Sequence, residues 1–375
     1  MHLVVNNPLN LSEVNQEQAF SLCKFFIETN QNLFLFGQRG TGKTKILMQS
    51  AKACHVKINY INLSVLERPD LAGYPNLFAT GDIVTFKSPY YLPTLEDGYE
   101  PDSVILFDEV DKASPDIIAP LLEILQFKTI NGRRINAKAC LLTGNLLSEG
   151  AYSHELNTAL LDRGGKYLLR FDFQSWYKWA KENNIHDFIM SFLYSNPASA
   201  CSTKDLNQYA IASPRGWEYI SNSIFYAEKL KVDSSDMIFN IVSGYVGKEI
   251  GLTFKSWYEN YRILDPIIKD LLFKDKEPED YSKWEKTKQL VFILNLFYSA
   301  KIETIKRVKA NNKKPFLLLE VMCSFLKRKN VEPEILNLAI GYAFDLQTIA
   351  MYNLYECEPF TDMAGELTDK LTSIK

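Results

Sequence analysis

The sequence predicts an α/β fold, in which a parallel β-sheet is flanked by helices, followed by a region built from helices alone. In the first half of the chain, short apolar runs alternate with segments of helical periodicity, a pattern typical of a parallel sheet with helical connections. From about Phe173 onward the strand-like runs disappear, and helices separated by proline-containing turns replace them. We therefore predict an α/β domain at residues 1–230 and an all-α domain at residues 231–375.

Five short apolar runs are the candidate strands of the sheet. They are Asn32–Phe36, Lys57–Leu63, Ser103–Phe107, Ala139–Thr143 and Lys166–Phe171. Between the third and fourth runs, Pro115–Leu125 predicts a helix, since its apolar residues recur on one face. Ser114 is a candidate N-cap for this helix, and Pro115 suits its first turn.

Two short segments interrupt this alternation and predict β-hairpins. FKTINGRRIN, Phe127–Asn136, contains the pair Asn131-Gly132, which tolerates the positive φ angles of a two-residue turn. NLFATGDIVTF, Asn76–Phe86, places Thr80-Gly81-Asp82 between two apolar arms. Each hairpin is either a plain surface turn or a working element, and the sequence leaves both interpretations open.

Composition and charge narrow the class of protein. The 375 residues are 46% hydrophobic and 23% charged, which is typical of a soluble globular protein. A net charge of −3 and a pI near 5.9 argue against a surface built throughout for nucleic acid, although a local basic patch is compatible with them. The first residues lack the pattern of a secretory signal, and no apolar run approaches the roughly 18 residues of a membrane span. We expect a cytoplasmic protein.

The cysteines indicate neither a zinc site nor a disulfide framework. They show no CxxC spacing, and the four histidines do not cluster with them. We expect buried free thiols at all six positions, which are Cys23, Cys54, Cys140, Cys201, Cys323 and Cys357.

The stretch GQRGTGKT, Gly37–Thr44, fits the phosphate-binding pattern G-x-x-x-x-G-K-[ST] and lies between a predicted strand and a predicted helix. In that context, backbone N–H groups and the helix N-terminus can converge on a polyphosphate. Lys43 would reach the β- and γ-phosphates, and the Thr44 hydroxyl would ligate Mg²⁺. The expected nucleotide-binding residues are Gly37, Gln38, Arg39, Gly40, Thr41, Gly42, Lys43 and Thr44.

An acidic pair at the end of another strand adds the chemistry of hydrolysis. In VILFDEVD, Val104–Asp111, Asp108 leaves a buried strand and can hold Mg²⁺ through water. Glu109 can orient and polarise the water that attacks the γ-phosphate. An isolated acidic pair is usually part of a solvated loop, but a phosphate loop upstream favours the catalytic interpretation.

Three further polar residues follow in a fixed order. LLTGN ends a strand on Asn145, ALLDRGG presents Arg163 in a loop, and SPRGWEYIS carries Arg215 at the start of a helix. Each residue alone is weak evidence, because an exposed arginine usually forms a surface ion pair or is solvated. The order of the five features is the informative observation.

This order resembles that of the AAA+ ATPases, whose phosphate loop and acidic pair are the Walker A and Walker B motifs. More narrowly it resembles the MoxR-type branch, whose members carry two hairpin insertions at the places predicted above. The resemblance extends from about Phe34 to Tyr261. The segments that carry it include DLAGYP (Asp70–Pro75), YYLP, FDEVDKA (Phe107–Ala113), SWYKWAKENNI (Ser175–Ile185), SPRGWEYIS (Ser213–Ser221) and YVGKEIGLTF (Tyr245–Phe254).

The resemblance implies an AAA+ P-loop core with two hairpin insertions followed by an all-α lid, with ATP and Mg²⁺ as cofactors. It also implies a ring, usually hexameric, with the nucleotide at each subunit boundary. By the same resemblance, Asn145 is sensor 1, Arg163 is the arginine finger donated to a neighbouring subunit, and Arg215 is sensor 2. The family commonly has an aromatic residue after the finger, whereas Gly164-Gly165 follow Arg163 here. These glycines should loosen the loop, and Arg170 is the alternative finger.

The resemblance further implies an ATPase that remodels a protein partner, which in this family often carries a von Willebrand factor A domain. One alternative is a nucleic-acid motor or genome-handling ATPase. Another, a monomeric P-loop kinase, is disfavoured because it gives Asn145 and Arg163 no evident role.

Two basic segments bear on the nucleic-acid alternative. They are Arg133-Arg134 at the predicted hairpin tip and the run Lys301–Lys314. We expect the charges of that run to lie on a solvated helix face. We also expect Trp176, Trp179 and Trp217 to pack in the core or between subunits and not to stack on bases.

Overall fold

The computed structural model describes residues 10–76, 84–87, 89, 91–93, 103–145, 158–202, 210–344 and 346–372. The chain forms two compact units. The first comprises residues 1–184 and 198–219, and the second comprises residues 185–197 and 220–375. These units are defined by compactness, and the domain division predicted after residue 230 stays a prediction.

A six-stranded parallel sheet lies at the centre of the first unit, with strand order β1-β10-β2-β9-β6-β3. All five predicted strands are confirmed, and none of their ends is shifted by more than two residues. The additional edge strand β1 was missed, because it is three residues long and buries only Val14. The sheet strands are β1 (Ser12–Val14), β2 (Leu33–Gly37), β3 (Lys57–Asn62), β6 (Ser103–Asp108), β9 (Ala139–Gly144) and β10 (Gly165–Leu169); four short strands, β4, β5, β7 and β8, lie outside this sheet.

Helices cover both faces of the sheet. Successive side chains of β2 point to opposite faces, so Phe34 and Phe36 pack with residues of α4 while Leu33 and Leu35 pack with residues of α1 and α2. This two-sided burial explains why the run is apolar throughout. The helices of this unit are α1 (Gln16–Glu28), α2 (Lys43–Ala53), α3 (Arg68–Ala72), α4 (Pro115–Phe127), α5 (Thr158–Leu161) and α6 (Phe173–Glu182).

Helix α4 confirms the predicted helix and is two residues longer. Ser114 is the N-cap residue, as predicted, but its side chain makes no capping hydrogen bond. Pro115 occupies the first turn as expected, where a missing backbone N–H costs no hydrogen bond.

The hairpin predicted at Phe127–Asn136 is confirmed. Strands β7 (Thr129–Ile130) and β8 (Arg133–Arg134) pair antiparallel, and the turn residues Asn131 and Gly132 have φ angles of 47° and 78°. This hairpin links α4 to β9.

The flanks of the other predicted hairpin also pair. Strands β4 (Tyr74–Pro75) and β5 (Phe86–Lys87) are antiparallel, and the Asn76 amide donates to the Thr85 carbonyl at 2.7 Å. The predicted turn, Thr80-Gly81-Asp82, lies outside the described residues.

In the described part of the second unit every regular element is helical. Buried aromatic rings fill this unit, among them Phe254, Phe292 and Phe325, which are fully enclosed. The helices are α7 (Asp187–Ser195), α8 (Pro214–Leu230, which begins in the first unit), α9 (Ser235–Val246), α10 (Lys248–Lys274), α11 (Lys286–Lys309), α12 (Leu317–Lys329), α13 (Pro333–Ala343), α14 (Leu346–Met351) and α15 (Glu358–Thr372).

The basic run Lys301–Lys314 covers the end of α11 and the residues after it. Lys306, Lys309, Lys313 and Lys314 are exposed, as predicted for a solvated face, and Lys306 pairs with Glu303 at 2.6 Å. Among the described helices, none combines the length and the apolar character needed to span a membrane.

Five of the six thiols are buried, as predicted, whereas Cys54 is partly exposed. Two of the tryptophans named above are likewise buried in the core, with Trp176 and Trp217 exposing 5% and none of their surface. Trp179 is half-buried and lines a cavity that is described below.

Candidate nucleotide-binding site

The loop Gly37–Thr44 connects the carboxyl end of β2 to the amino end of α2, as the sequence predicts. Gly40 and Gly42 have φ angles of 75° and 96°, which side chains disfavour. A Cβ on Gly40 would also lie 2.8 Å from the Ser213 side chain. Gly42 is the N-cap of α2, and no side chain caps the first turn of that helix. The first amides of α2 thus point toward the loop, where they suit an anion.

The Lys43 ammonium lies inside this loop and is 9% exposed as a residue. Its Nζ donates to the carbonyls of Gly37 at 2.6 Å and Gln38 at 2.9 Å, and to Asn145 Oδ1 at 2.9 Å. Asn145 follows β9, the neighbour of β2 in the sheet. The parallel register therefore brings the predicted sensor 1 residue against the phosphate-loop lysine.

Asp111 holds Asn145 in this position. The Asn145 amide N–H donates to Asp111 Oδ1 at 2.9 Å, and its side-chain Nδ2 lies 3.4 Å from Oδ2. Asp111 is 2% exposed. Because the carboxylate takes the NH₂ group, Oδ1 of Asn145 faces Lys43. The sequence did not predict a role for Asp111, because its pairing with Asn145 depends on the order of the strands in the sheet.

Asp108 ends β6 and lies beside Thr44. The Thr44 hydroxyl is 3.2 Å from both carboxylate oxygens, and the Tyr60 hydroxyl donates to Oδ2 at 3.0 Å. Thr143, on β9, also donates its hydroxyl to Asp108. Hydroxyl and carboxylate oxygens are the ligands that Mg²⁺ prefers. Thr44 and Asp108 therefore fit a magnesium ion, and Tyr60 and Thr143 are neighbours that sequence reasoning missed.

Glu109 follows Asp108 with a φ of 58°, which starts the short turn Val110–Lys112. Its Oε1 accepts from Lys112 Nζ at 2.8 Å. Burial opposes ionisation of this carboxyl group, but hydrogen bonds from Lys112 and Ser64 and the nearby ammonium groups hold its pKa below the usual range. Glu109 is thus ionised at neutral pH, as a residue that polarises water must be.

Arg215, in the first turn of α8, lies at the phosphate loop. Its amide donates to the Gly40 carbonyl at 3.3 Å. Burial and the negative charge of Asp108 raise the pKa of Tyr60 to about 12, and the charge of Arg215 acts in the opposite direction. The structure therefore brings the predicted sensor 2 residue near the acidic residues of the site.

Arg163 is not part of this cluster. It precedes β10, in which Gly165 pairs with Leu33 and Leu169 pairs with Gly37. Arg163 therefore lies at the amino edge of the sheet, whereas the phosphate loop leaves the carboxyl edge, about 13 Å away along the strand. Its guanidinium donates to Gln126 Oε1 at 2.7 Å and to the Ala159 carbonyl.

The expectation that Gly164 and Gly165 loosen the Arg163 loop is wrong. A Cβ on Gly164 would lie 2.6 Å from the Asn32 carbonyl oxygen, and one on Gly165 would lie 2.4 Å from the Phe26 ring. The glycines are needed for close packing where β10 begins. Arg170, the alternative finger, follows β10 at the carboxyl edge and pairs with Glu13 at 2.5 Å.

A cavity of about 760 Å³ adjoins the phosphate loop. It is lined by α1, α2, α6 and the start of α8, with Phe20, Met48 and Trp179 among its apolar residues. Lys45 lies at the wall of this cavity, where its Nζ is 2.8 Å from Glu218 Oε1 and 4.4 Å from the centre of the Trp179 ring. A cavity of this size suits a bound nucleoside.

A comparison with protein families supports this interpretation of the site. Residues 32–163 match the AAA domain of the dynein-related subfamily. The matched residues include the phosphate loop, Asp108, Glu109, Asn145 and Arg163. Together, the match and the site geometry support an AAA+ P-loop ATPase domain in the first unit.

Similar proteins cover only parts of the chain. Mitochondrial disaggregases of Bos taurus and Homo sapiens are 29% identical to this chain over 167 residues, and the matches cover 38% of this chain and 24% and 23% of theirs. The chain thus aligns with about a quarter of the length of these curated relatives. Among solved structures, the RuvB P216G mutant of Thermotoga maritima has 15% identity and a TM-score of 0.34, covering 71% of this chain and 78% of that one. Hsp104 with ATPγS and FITC casein has 18% identity and a TM-score of 0.40, covering 60% and 47%.

Replacing Lys43 with alanine should weaken ATP binding by about 30- to 4000-fold, because losing a buried charge partner typically costs about 2–5 kcal/mol. Isothermal titration calorimetry would measure the affinity, with circular dichroism as a test of folding. Lys52→Ala, an exposed change in the last turn of α2, is the matched control and should bind normally. A folded Lys43→Ala protein with unchanged affinity would contradict the assignment of the phosphate loop.

Proposed function

We propose that the chain is a MoxR-type AAA+ ATPase that hydrolyses ATP, works as a ring that is usually hexameric, and remodels a protein partner in the cytoplasm. The observation that carries the ATPase proposal is the convergence of Lys43, Asn145, Thr44 and Asp108 at the carboxyl edge of the sheet. These residues combine a phosphate-binding cation, a polar sensor and oxygen ligands for a metal.

Each residue has a distinct task in this proposal. Lys43 binds the β- and γ-phosphates, and Mg²⁺ held by Thr44 and Asp108 would neutralise charge on the same oxygens. Glu109 orients the water whose oxygen bonds to the γ-phosphorus as the bond to the bridging oxygen of ADP breaks. Asn145 and Arg215 contact the γ-phosphate and report whether it is present.

The location of Arg163 supports a ring. This residue and the phosphate loop lie at opposite edges of one sheet, so the arginine does not reach the nucleotide of its own subunit. In a ring it would serve the next subunit, where a guanidinium stabilises the charge of the transferring phosphoryl group.

Protein remodelling is the favoured task. The related mitochondrial proteins are disaggregases, and the net charge of −3 disfavours wide contact with a polyanion. By resemblance to MoxR-type proteins, the partner would carry a von Willebrand factor A domain. The second candidate, a nucleic-acid motor, is favoured by one observation, the pair Arg133-Arg134 in strand β8 of the hairpin.

A pair of variants in the native host would identify the partner. Glu109→Gln should accumulate with ATP and retain its partner, whereas Lys43→Ala should not. A partner that is enriched only with Glu109→Gln, survives nuclease and is lost on protease treatment would support remodelling of a protein. Nuclease-sensitive nucleic acid in its place would support the motor.

Neither single- nor double-stranded DNA should stimulate ATP turnover strongly at physiological salt, because contacts to phosphates weaken steeply as salt rises. A coupled ATPase assay with and without DNA would measure the effect at several salt concentrations. Arg133→Ala with Arg134→Ala serves as the matched control and should leave turnover unchanged. Strong stimulation that survives physiological salt and disappears in this double variant would reverse the ranking of the two candidates.

A further inference from the structure

Asn32, immediately before β2, makes four side-chain hydrogen bonds in the core of the first unit. Its Nδ2 donates to the carbonyls of Leu125 and Arg163, each at 2.9 Å. Its Oδ1 accepts from the Cys140 amide at 3.0 Å and from Lys128 Nζ at 2.6 Å. The residue is 7% exposed. Both donors of the carboxamide and both acceptor positions of its oxygen are occupied, so its orientation is fixed.

The main chain of Asn32 also contacts the loop that contains Arg163. Its carbonyl accepts from the Gly165 amide at 3.0 Å, and it lies so near Gly164 that no Cβ fits there. Asn32 therefore binds both ends of the segment Arg163–Gly165, through the Arg163 carbonyl and the Gly165 amide.

The partners of Asn32 also include the end of α4, from which the β7–β8 hairpin starts. Leu125 is in the last turn of that helix, and Lys128 is its C-cap, with a φ of 52°. Gln126, between them, accepts a hydrogen bond from the Arg163 guanidinium. The side chain of Arg163 is thus bonded directly to the last turn of α4, and the Arg163 carbonyl is linked to the same turn through Asn32.

We propose that Asn32 is a positioning residue for Arg163, setting the place from which the arginine reaches the nucleotide of the neighbouring subunit and linking that place to the base of the β7–β8 hairpin. The inference rests on the proposed function, in which Arg163 acts between subunits. Asn32 is at the amino edge of the sheet, away from the phosphate loop of its own chain. Loss of the Asn32 carboxamide should therefore impair the arginine finger that a subunit donates to its neighbour and leave the nucleotide pocket of the same subunit intact.

The substitution Asn32→Asp tests this division. Aspartate keeps the size and the acceptor oxygen near Lys128 and Cys140, but the two carbonyls then face an oxygen in place of an N–H donor. We expect ATP affinity within about twofold of the wild type and turnover lowered about 10- to 100-fold, which corresponds to roughly 1.4–2.7 kcal/mol of barrier. Asn59→Asp is the matched control, since Asn59 is a buried asparagine of β3, at a distance from Arg163, and its Nδ2 donates to the Val104 carbonyl at 3.5 Å.

Mixing subunits distinguishes a positioning role from general damage. Asn32→Asp mixed with Glu109→Gln should regain activity, because intact pockets of the first protein meet intact arginines of the second. Asn32→Asp mixed with Arg163→Ala should show no gain over the unmixed proteins, since both donate a defective finger. Asn59→Asp should show no such selective pattern. Native mass spectrometry would verify that mixed rings form.

The outcomes separate the inference from the proposed function. If Arg163→Ala and Glu109→Gln fail to complement each other in mixed rings, the intersubunit function itself is wrong. If that pair complements but Glu109→Gln does not rescue Asn32→Asp, the inference is overturned. If Asn32→Asp does not fold, Gln126→Leu takes its place, because Gln126 is exposed. It should show the same rescue pattern with a loss of about 3- to 10-fold, and absence of that pattern would equally overturn the inference.

Discussion

Replacing Arg163 with alanine should lower ATP turnover by about 10³–10⁵-fold and leave ATP affinity unchanged, the range typical for an arginine finger. In free energy this is roughly 4–7 kcal/mol of barrier. ATP affinity should be unchanged because Arg163 is distant from the phosphate loop of its own chain. Steady-state turnover and calorimetric affinity, measured on the same preparation, would test both parts of this expectation.

A mixture with Glu109→Gln carries the stronger test. Each variant alone should turn over very slowly. Some boundaries in a mixed ring pair an intact Glu109 pocket with an intact Arg163, so part of the activity should return. Arg170→Ala is the matched control and should remain active, because Arg170 pairs with Glu13 at the other edge of the sheet.

A mixture that stays inactive in verified mixed rings, together with an inactive Arg170→Ala protein, would show that the finger is misassigned. Failure to form any oligomer with ATP would contradict the ring mechanism altogether.

Glu109→Gln should bind ATP, accumulate as a ring and turn over about 10²–10⁴-fold more slowly, since general-base assistance is typically worth that factor. The amide keeps the shape of the side chain but cannot carry the charge that polarises water. A radiolabelled-phosphate release assay would measure the residual rate. Glu123→Gln, a change on α4 outside the site, should behave as the wild type. Wild-type turnover by Glu109→Gln would show that another group is the catalytic carboxylate.

The pH dependence gives an independent check on Glu109. Because its folded-state pKa is lowered, the group is ionised above that value and its contribution is lost only as the pH falls through it. The acid limb of the rate profile that belongs to Glu109 should therefore lie below the ordinary carboxyl value of 4.5. Lys112→Met removes a hydrogen bond that lowers the pKa and should move this limb to higher pH. An unmoved limb would argue against Glu109 as its source.

Local sequence determined much of this protein. The doubly buried strand β2 required apolar residues on both faces, and the phosphate loop required glycine where positive φ occurs. The turn Asn131-Gly132 fixed the hairpin for the same reason. These features depend on backbone sterics and burial, which act over a few neighbouring residues, so they can be predicted from the local sequence.

Contacts between distant segments were decided only by the tertiary structure. The pairing of Asp111 with Asn145 and the four hydrogen bonds of Asn32 join residues that are 34 to 131 positions apart. The packing role of Gly164 likewise depends on a carbonyl from another strand. Strand order in the sheet sets which side chains meet, and it placed Arg163 and the phosphate loop at opposite edges. Such placement arises from long-range pairing and packing, which no local pattern of residue types encodes.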